Sequence, residues 1–194
     1  MTDLRVFRDE PFLRHRLRMI PLAELKRFEA FDEAKVTRLV AKIREEQTFF
    51  NPISVVRELI VIDGANRLEA LRRLGARFVP CVVYDYSEVE LLGNVHFIDN
   101  GVTTRLSEFS PEAGERVEFP RRSPEDIQAA AESGQLIPNG ETFHQVAQSV
   151  IRLPIPLAAL MSNEPFDLGA EIERRMTSGQ IRFYPASVYV CDEW

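Results

Sequence analysis

The sequence is poor in the features on which many well-known chemistries depend. Its 194 residues hold two cysteines, Cys81 and Cys191, and no Cys-x-x-Cys pair. That is too few for a disulfide framework and points to a reducing, cytoplasmic setting. Cys81 lies in an apolar, strand-like run and reads as a small buried hydrophobe. The three histidines, His15, His96 and His144, are far apart and show no metal-ligand spacing. No Gly-x-x-x-x-Gly-Lys-Ser/Thr loop occurs, which excludes P-loop phosphate chemistry. The uncharged apolar runs, such as 59–62 and 78–84, fall far short of the roughly 20 residues that cross a bilayer. The N-terminal stretch scatters charges without an apolar block, unlike a signal peptide. Lysine is absent after Lys42, so later cationic contacts fall to arginine. Residues 1–97 hold 16 Lys and Arg against 15 Asp and Glu, and residues 98–194 hold 8 against 15, for a net charge of -6. A nucleic-acid binder shows a basic footprint, and the second half shows the reverse.

Apolar residues make up 45% and charged residues 28%, as in a globular domain or two small lobes sharing a core. Asp32 followed by Val36, Leu39, Val40 and Ile43 predicts a capped helix over about 33–47. The runs 53–56 and 59–62 predict two strands joined by a tight Arg57-Glu58 connection. Leu68, Leu71 and Leu74 predict a helix closed by Gly75. Residues 78–84 predict a strand, and Ser87 a cap for a further helix carrying Val89, Leu91, Leu92 and Val95. Gly, Pro and acidic residues crowd 99–125 and suggest a boundary near residue 100. Ser123-Pro124-Glu125-Asp126 is a strong helix start. The tetrads at 133–136 and 178–181 echo one another, either as a reused unit or as two independent helix ends.

The stretch 59–75 is the most informative. A strand ends at Asp63, Gly64 turns, and a helix starts near Ala65. Its free N–H groups and dipole make an anion site. Gly64 permits close backbone approach, Arg67 can fork onto phosphate oxygens, and Asp63 can hold a cation that bridges phosphates. The same residues also make an ordinary strand–turn–helix joint, with Asp63 as cap and Arg67 on a solvated face.

The order Ile-Pro-Leu, helix, Asn-Pro-Ile, Ile-Asp-Gly-x-x-Arg-Leu-Glu-Ala-Leu-x-x-Leu-Gly-Ala, Val-Pro over residues 17–86 resembles the ParB/sulfiredoxin fold. Sulfiredoxins need a cysteine in the turn, and here it reads Gly64-Ala65-Asn66-Arg67. Partition proteins carry Gly-Glu-Arg-Arg there and a DNA-binding domain beyond. The turn is most similar to that of the free L-serine kinases, Asp-Gly-x-His-Arg, matched by Asp63, Gly64 and Arg67. The resemblance implies an α+β ParB/sulfiredoxin-like nucleotide-binding lobe at 1–98 and a smaller substrate lobe at 99–194, with a cleft between them. It implies Glu29, in Lys26-Arg27-Phe28-Glu29, as general base, and nucleotide contacts from Asp63, Gly64, Ala65, Asn66 and Arg67. Mg2+ would sit on Asp63, with ATP or ADP as phosphoryl donor. Thr142 and His144 would grip the amino-acid acceptor, with O-phospho-L-serine as a biosynthetic product.

Two positions depart from the pattern, Asn66 for the turn histidine and Phe143 for a substrate-segment arginine. Phe143 removes a cation that would pair with a carboxylate, leaving Arg152 and Arg182 as the alternatives. A non-catalytic nucleotide-binding switch on the same fold is the rival reading, and a DNA-partition role ranks third. Neither nucleic acid nor membrane is an expected partner.

Overall fold

The computed structural model describes residues 16–93, 95–99, 102–105, 115–118, 121–139, 141–146, 150–178 and 182–184. His15 and Cys191 lie outside them. Strand β1 (Leu17–Pro21) is followed by helix α1 (Glu33–Glu46). Asp32 caps α1, its Oδ1 accepting from the Lys35 N–H at 3.0 Å. Val36, Leu39 and Ile43 turn inward as one stripe. After the short strand β2 (Thr48–Phe49), β3 (Ile53–Val56) and β4 (Val61–Asp63) form an antiparallel hairpin. Asp63 stands at the end of β4, opposite Ser54. Helix α2 (Ala65–Arg73) leads to β5 (Phe78–Tyr84), which lies between β1, antiparallel, and β3, parallel. The resulting sheet has the order β1-β5-β3-β4. β5 is apolar along most of its length, as befits a central strand. Cys81 within it is fully buried, and burial pushes its thiol pKa far up, so it is a hydrophobe and not a nucleophile. The fold is the α+β ParB/sulfiredoxin-like fold.

One predicted element is corrected. The helix expected after Ser87 is a strand. Asp85, not Ser87, caps a single 3-10 turn at Tyr86–Glu88, and the chain then extends as β6 (Val89–Gly93) and β7 (Val95–Asp99). The apolar residues at 89, 91, 92 and 95 suit either period, and long-range pairing decides. His96, expected just after that helix, lies in β7.

β7 pairs with β8 (Val102–Arg105) and β9 (Glu115–Glu118) in a three-stranded sheet. Helix α3 (Pro124–Ser133) begins as expected, with Ser123 and Asp126 closing a capping box. Strand β10 (Thr142–Val146) pairs antiparallel with β6. Strand β11 (Val150–Arg152) pairs with β13 (Arg182–Tyr184), and β12 (Ile155–Pro156) pairs with β2. Helices α4 (Leu157–Leu160) and α5 (Leu168–Thr177) lie between β12 and β13. One buried apolar cluster runs through both halves, joining Ile53, Leu71 and Val79 to Ile127, Leu153, Ile155, Leu160 and Ile172. Among the described residues, no helix is long and apolar enough to cross a membrane.

Candidate functional site

The site is assembled by three stretches distant in sequence. The first is the turn from β4 into α2. Gly64 is the N-cap of α2 at φ 104°, a left-handed conformation that favours glycine. No side chain caps this helix, so the N–H groups of its first turn point outward with the positive end of the dipole. The Arg67 guanidinium folds back over Gly64. A Cβ placed on Gly64 would lie 3.1 Å from Nε and Nη2 of Arg67. Nη2 of Arg67 donates to Asp63 Oδ2 at 2.6 Å, and Nη1 donates to the carbonyls of Asn51 and Pro52 at 3.0 and 2.8 Å. Arg67 therefore stitches the turn to the β3 entry rather than lying on a solvated face. Asp63 itself is 62% exposed, and Ala65 is buried.

The second stretch is 26–32, laid along that turn. The Lys26 N–H donates to the Leu59 carbonyl, and the Val61 N–H to the Lys26 carbonyl, at 2.8 and 2.9 Å. At the other end, the Asp32 N–H donates to Asn66 Oδ1 at 2.7 Å. The stretch is pinned at 59–61 and again at 66, and between these points it carries half-buried Glu29, whose flanking backbone groups bond to Ile137. Asn66, expected near phosphate, uses its amide oxygen to hold the N-terminus of α1 against that of α2. Behind this stretch, buried Glu69 gathers Arg72 and Arg73 by hydrogen bonds and Arg27 at 3.5 Å. Arg27 and Arg73 both lie over the Phe31 ring. These arginines hold the Glu69 carboxyl down at about 2, led by the Arg72 hydrogen bond.

The third stretch is β10. The Ile137 N–H donates to the Phe28 carbonyl at 2.7 Å, and the Ala30 N–H to the Ile137 carbonyl at 2.8 Å, so the approach to β10 is bonded to the Glu29 segment. Asn139 adds a bond to the Ala30 carbonyl at 3.1 Å. Thr142 and His144, two residues apart on β10, point to one face. The His144 ring meets the Phe28 ring at 5.2 Å between centroids, and its Nε2 is 3.5 Å from the Tyr86 hydroxyl. Burial pushes its pKa down to about 4, while the carboxylate of Asp63 acts in the opposite direction. Nδ1 of His144 and Oγ1 of Thr142 are buried without a hydrogen-bond partner. Each such group costs about 1–3 kcal/mol if left unmade, and that cost is recovered when a ligand supplies the partner.

Of the residues named from the sequence, Asp63, Gly64, Ala65, Asn66 and Arg67 lie together on the turn into α2, and the segment that carries Glu29 is bonded to that turn at Asn66. His144 meets that segment at Phe28, and Thr142 stands two residues before His144 on β10. Arg152 and Arg182 are paired positions in the β11–β13 register. Sequence reasoning missed Phe28, Tyr86 and Glu69. The Phe28–Glu29 pairing beside a lysine and an arginine was visible, but nothing local announces that Tyr86 meets β10. Among the described residues, no three His, Cys, Asp or Glu side chains form a metal cage.

No family model matches the chain. An ATP-dependent L-serine kinase from Desulfurococcus mucosus is 32% identical over 73 residues, which span 35% of this chain and 29% of that protein. The truncated SbnI from Staphylococcus aureus superposes with a TM-score of 0.62 at 15% identity, over 85% of this chain and 96% of that one. A conserved hypothetical protein from Pyrococcus furiosus gives a TM-score of 0.50 at 15% identity, over 75% and 97%. The chain thus resembles the ParB/sulfiredoxin-fold serine kinases in sequence over part of its length, and it shares the fold of SbnI over most of it.

Proposed function

We propose that this chain is a kinase that transfers a nucleotide phosphoryl group to the hydroxyl of a free amino acid, with L-serine the leading acceptor and O-phospho-L-serine the product. The observation that carries the reading is the convergence of Glu29, the open N-terminal turn of α2, and the two unpartnered polar atoms of β10. A relative named as an ATP-dependent L-serine kinase, matched over 29% of its length, supports it. In this reading the first-turn N–H groups of α2 and Arg67 bind the phosphates of ATP or ADP. The exposed Asp63 carboxylate suits Mg2+, which usually takes one or two carboxylates plus phosphate and water rather than a protein cage. That ion would supply charge neutralisation at the transferred group. Thr142 and His144 orient the acceptor, and Glu29 takes the hydroxyl proton as the oxygen attacks phosphorus. Asn66 serves this site through the backbone it fixes. The lobes at 1–98 and 99–194 would carry the nucleotide and acceptor parts.

The test is Glu29→Gln. The amide keeps the side chain's shape and cannot accept the proton. We expect nucleotide affinity in calorimetry to stay unchanged and serine phosphorylation to fall by about 10²-fold or more. Turnover within about threefold of wild type would remove Glu29 from the role. Nucleotide binding with no transfer to any hydroxy amino acid, by the wild type, would mark the chain as a non-catalytic switch.

A further inference from the structure

A cavity of about 380 Å³ opens beside β6, lined by Val89, Leu91, Arg121, Arg122, Ser123 and Pro124. Val89 and Leu91 alternate along β6, so the cavity lies on the strand face that these two residues share. In the register with β10, Leu91 stands opposite His144 and Gly93 opposite Thr142. Residues directly opposite in an antiparallel pair share a face. The cavity is therefore on the same side of the sheet as the unpartnered Thr142 Oγ1 and His144 Nδ1.

Its chemistry is anion-seeking. Arg121 and Arg122 stand at its rim in the half of the chain where Asp and Glu outnumber Lys and Arg by 15 to 8. Arg122 is half-buried and gives one of its five N–H groups to Glu141, the residue before Thr142, at 3.0 Å. That bond ties the Arg122 guanidinium to the start of β10, and since it is the guanidinium's one hydrogen bond among the described residues, the rest of the fork can take a second carboxylate. Among the described residues Arg121 meets Glu90, at 4.0 Å with both side chains exposed, which neutralises little. The floor of Val89 and Leu91 is apolar, and the volume is at the small end of ligand pockets. This suits a small amino or hydroxy acid rather than a nucleotide.

We propose that this cavity receives the carboxylate of the acceptor and that Arg122 is the side chain that binds it. The identity of the acceptor rests on the kinase reading above, whereas the carboxylate site does not. Arg122, from α3's leading loop, then supplies the cation for that carboxylate.

The experiment uses the full chain and titrates L-serine and ethanolamine, which keeps the amine and hydroxyl but lacks the carboxylate. Calorimetry of wild type should show L-serine binding at least about tenfold tighter than ethanolamine. Arg122→Gln should weaken L-serine by about 10–100-fold, leave nucleotide affinity unchanged, and be partly rescued by Arg122→Lys. In turnover the loss should appear in the apparent KM for L-serine, with kcat within about threefold. Independently of any variant, backbone amide shifts of the wild type on serine addition should centre on Leu91, Arg122 and Thr142. Equal binding of L-serine and ethanolamine, an Arg122→Gln protein that binds serine like wild type, or amide shifts centred elsewhere would each overturn the site. Arg122-dependent serine binding without phosphoryl transfer would leave the site standing and defeat the kinase reading. Transfer with a KM indifferent to Arg122 would do the opposite.

Discussion

His144 shows how a single side chain is prepared by its surroundings. Its ring is packed against Phe28 and is 9% exposed, so water cannot stabilise the imidazolium. The pKa therefore drops to about 4, and at neutral pH the ring offers one donor and one acceptor to its neighbours. The consequence for stability has a definite sign. The unfolded chain protonates this residue below its ordinary value of 6.5, whereas the native state resists until about 4. The unfolded state thus binds the extra proton between those values, and native stability falls as the pH drops from 6.5 towards 4. The effect from this one group is on the order of 3 kcal/mol. Urea unfolding of wild type and His144→Gln across pH 7.5 to 4 should show the wild type losing that much more stability than the variant over the window. Parallel pH profiles for the two proteins would show that His144 protonates freely in the native state. Thr142, two residues away, shares the buried face but does not titrate, so the pH dependence of this face belongs to His144.

Single elements show which parts of this architecture are local. Gly64 sits at φ 104°, where other residues are strained, and a Cβ there would crowd the Arg67 guanidinium at 3.1 Å. Gly64→Ala should therefore cost about 1–3 kcal/mol in denaturant unfolding. Arg67 should also be displaced from Asp63, visible as loss of protection of its side-chain N–H signals; unchanged stability and intact signals would refute the cradle. The joint was legible in sequence because each of its parts is a short-range signal: a β-branched run, Asp-Gly, then leucines at helical spacing. Helices α1 and α3 were legible for the same reason, since Asp32 and Ser123 are caps with apolar periodicity behind them. Strand β6 was not. Val89 and Leu91 fit a strand, but Leu91, Leu92 and Val95 also fit a helical face, and only pairing with β10, some 50 residues on, selects extension. The site divides along the same line. Asp63, Gly64 and Arg67 announce themselves locally. Glu29, Thr142 and His144 came from family resemblance, and Phe28 and Tyr86 were missed because they meet His144 only through long-range packing.

On the scale of the whole molecule, both proposed lobes are built on one core. Beyond residue 98 the chain returns repeatedly to the first half. Ile155 pairs with Phe49, the Leu153 N–H bonds the Phe50 carbonyl, and the Leu157 N–H bonds the Gln47 carbonyl. The Arg77 N–H is satisfied by the Leu160 carbonyl at 2.7 Å, and Ile137 bridges the Glu29 segment on both sides. Leu153, Ile155 and Leu160 are fully buried, and Leu157 nearly so, in the cluster that also holds Phe28, Ile53 and Val79. Burying each such side chain is worth about 1.5–3 kcal/mol, so these four together rival the whole stability of an ordinary domain. A chain cut after residue 98 would expose Phe49 and strand the backbone groups of Gln47, Phe50 and Arg77. We therefore expect the full chain to unfold in one cooperative step, with far-UV and near-UV circular dichroism following the same curve. A fragment of residues 1–98 should show collapsed amide dispersion by NMR. Two separated transitions, or a dispersed, native-like spectrum from the fragment, would mean that residues 1–98 stand alone. The coupling also bears on the site: β10 presents Thr142 and His144 only while β6 and the 28–30 segment hold it. Loosening the second half should then weaken acceptor binding before it weakens nucleotide binding, an order that calorimetry in increasing sub-denaturing urea would read directly.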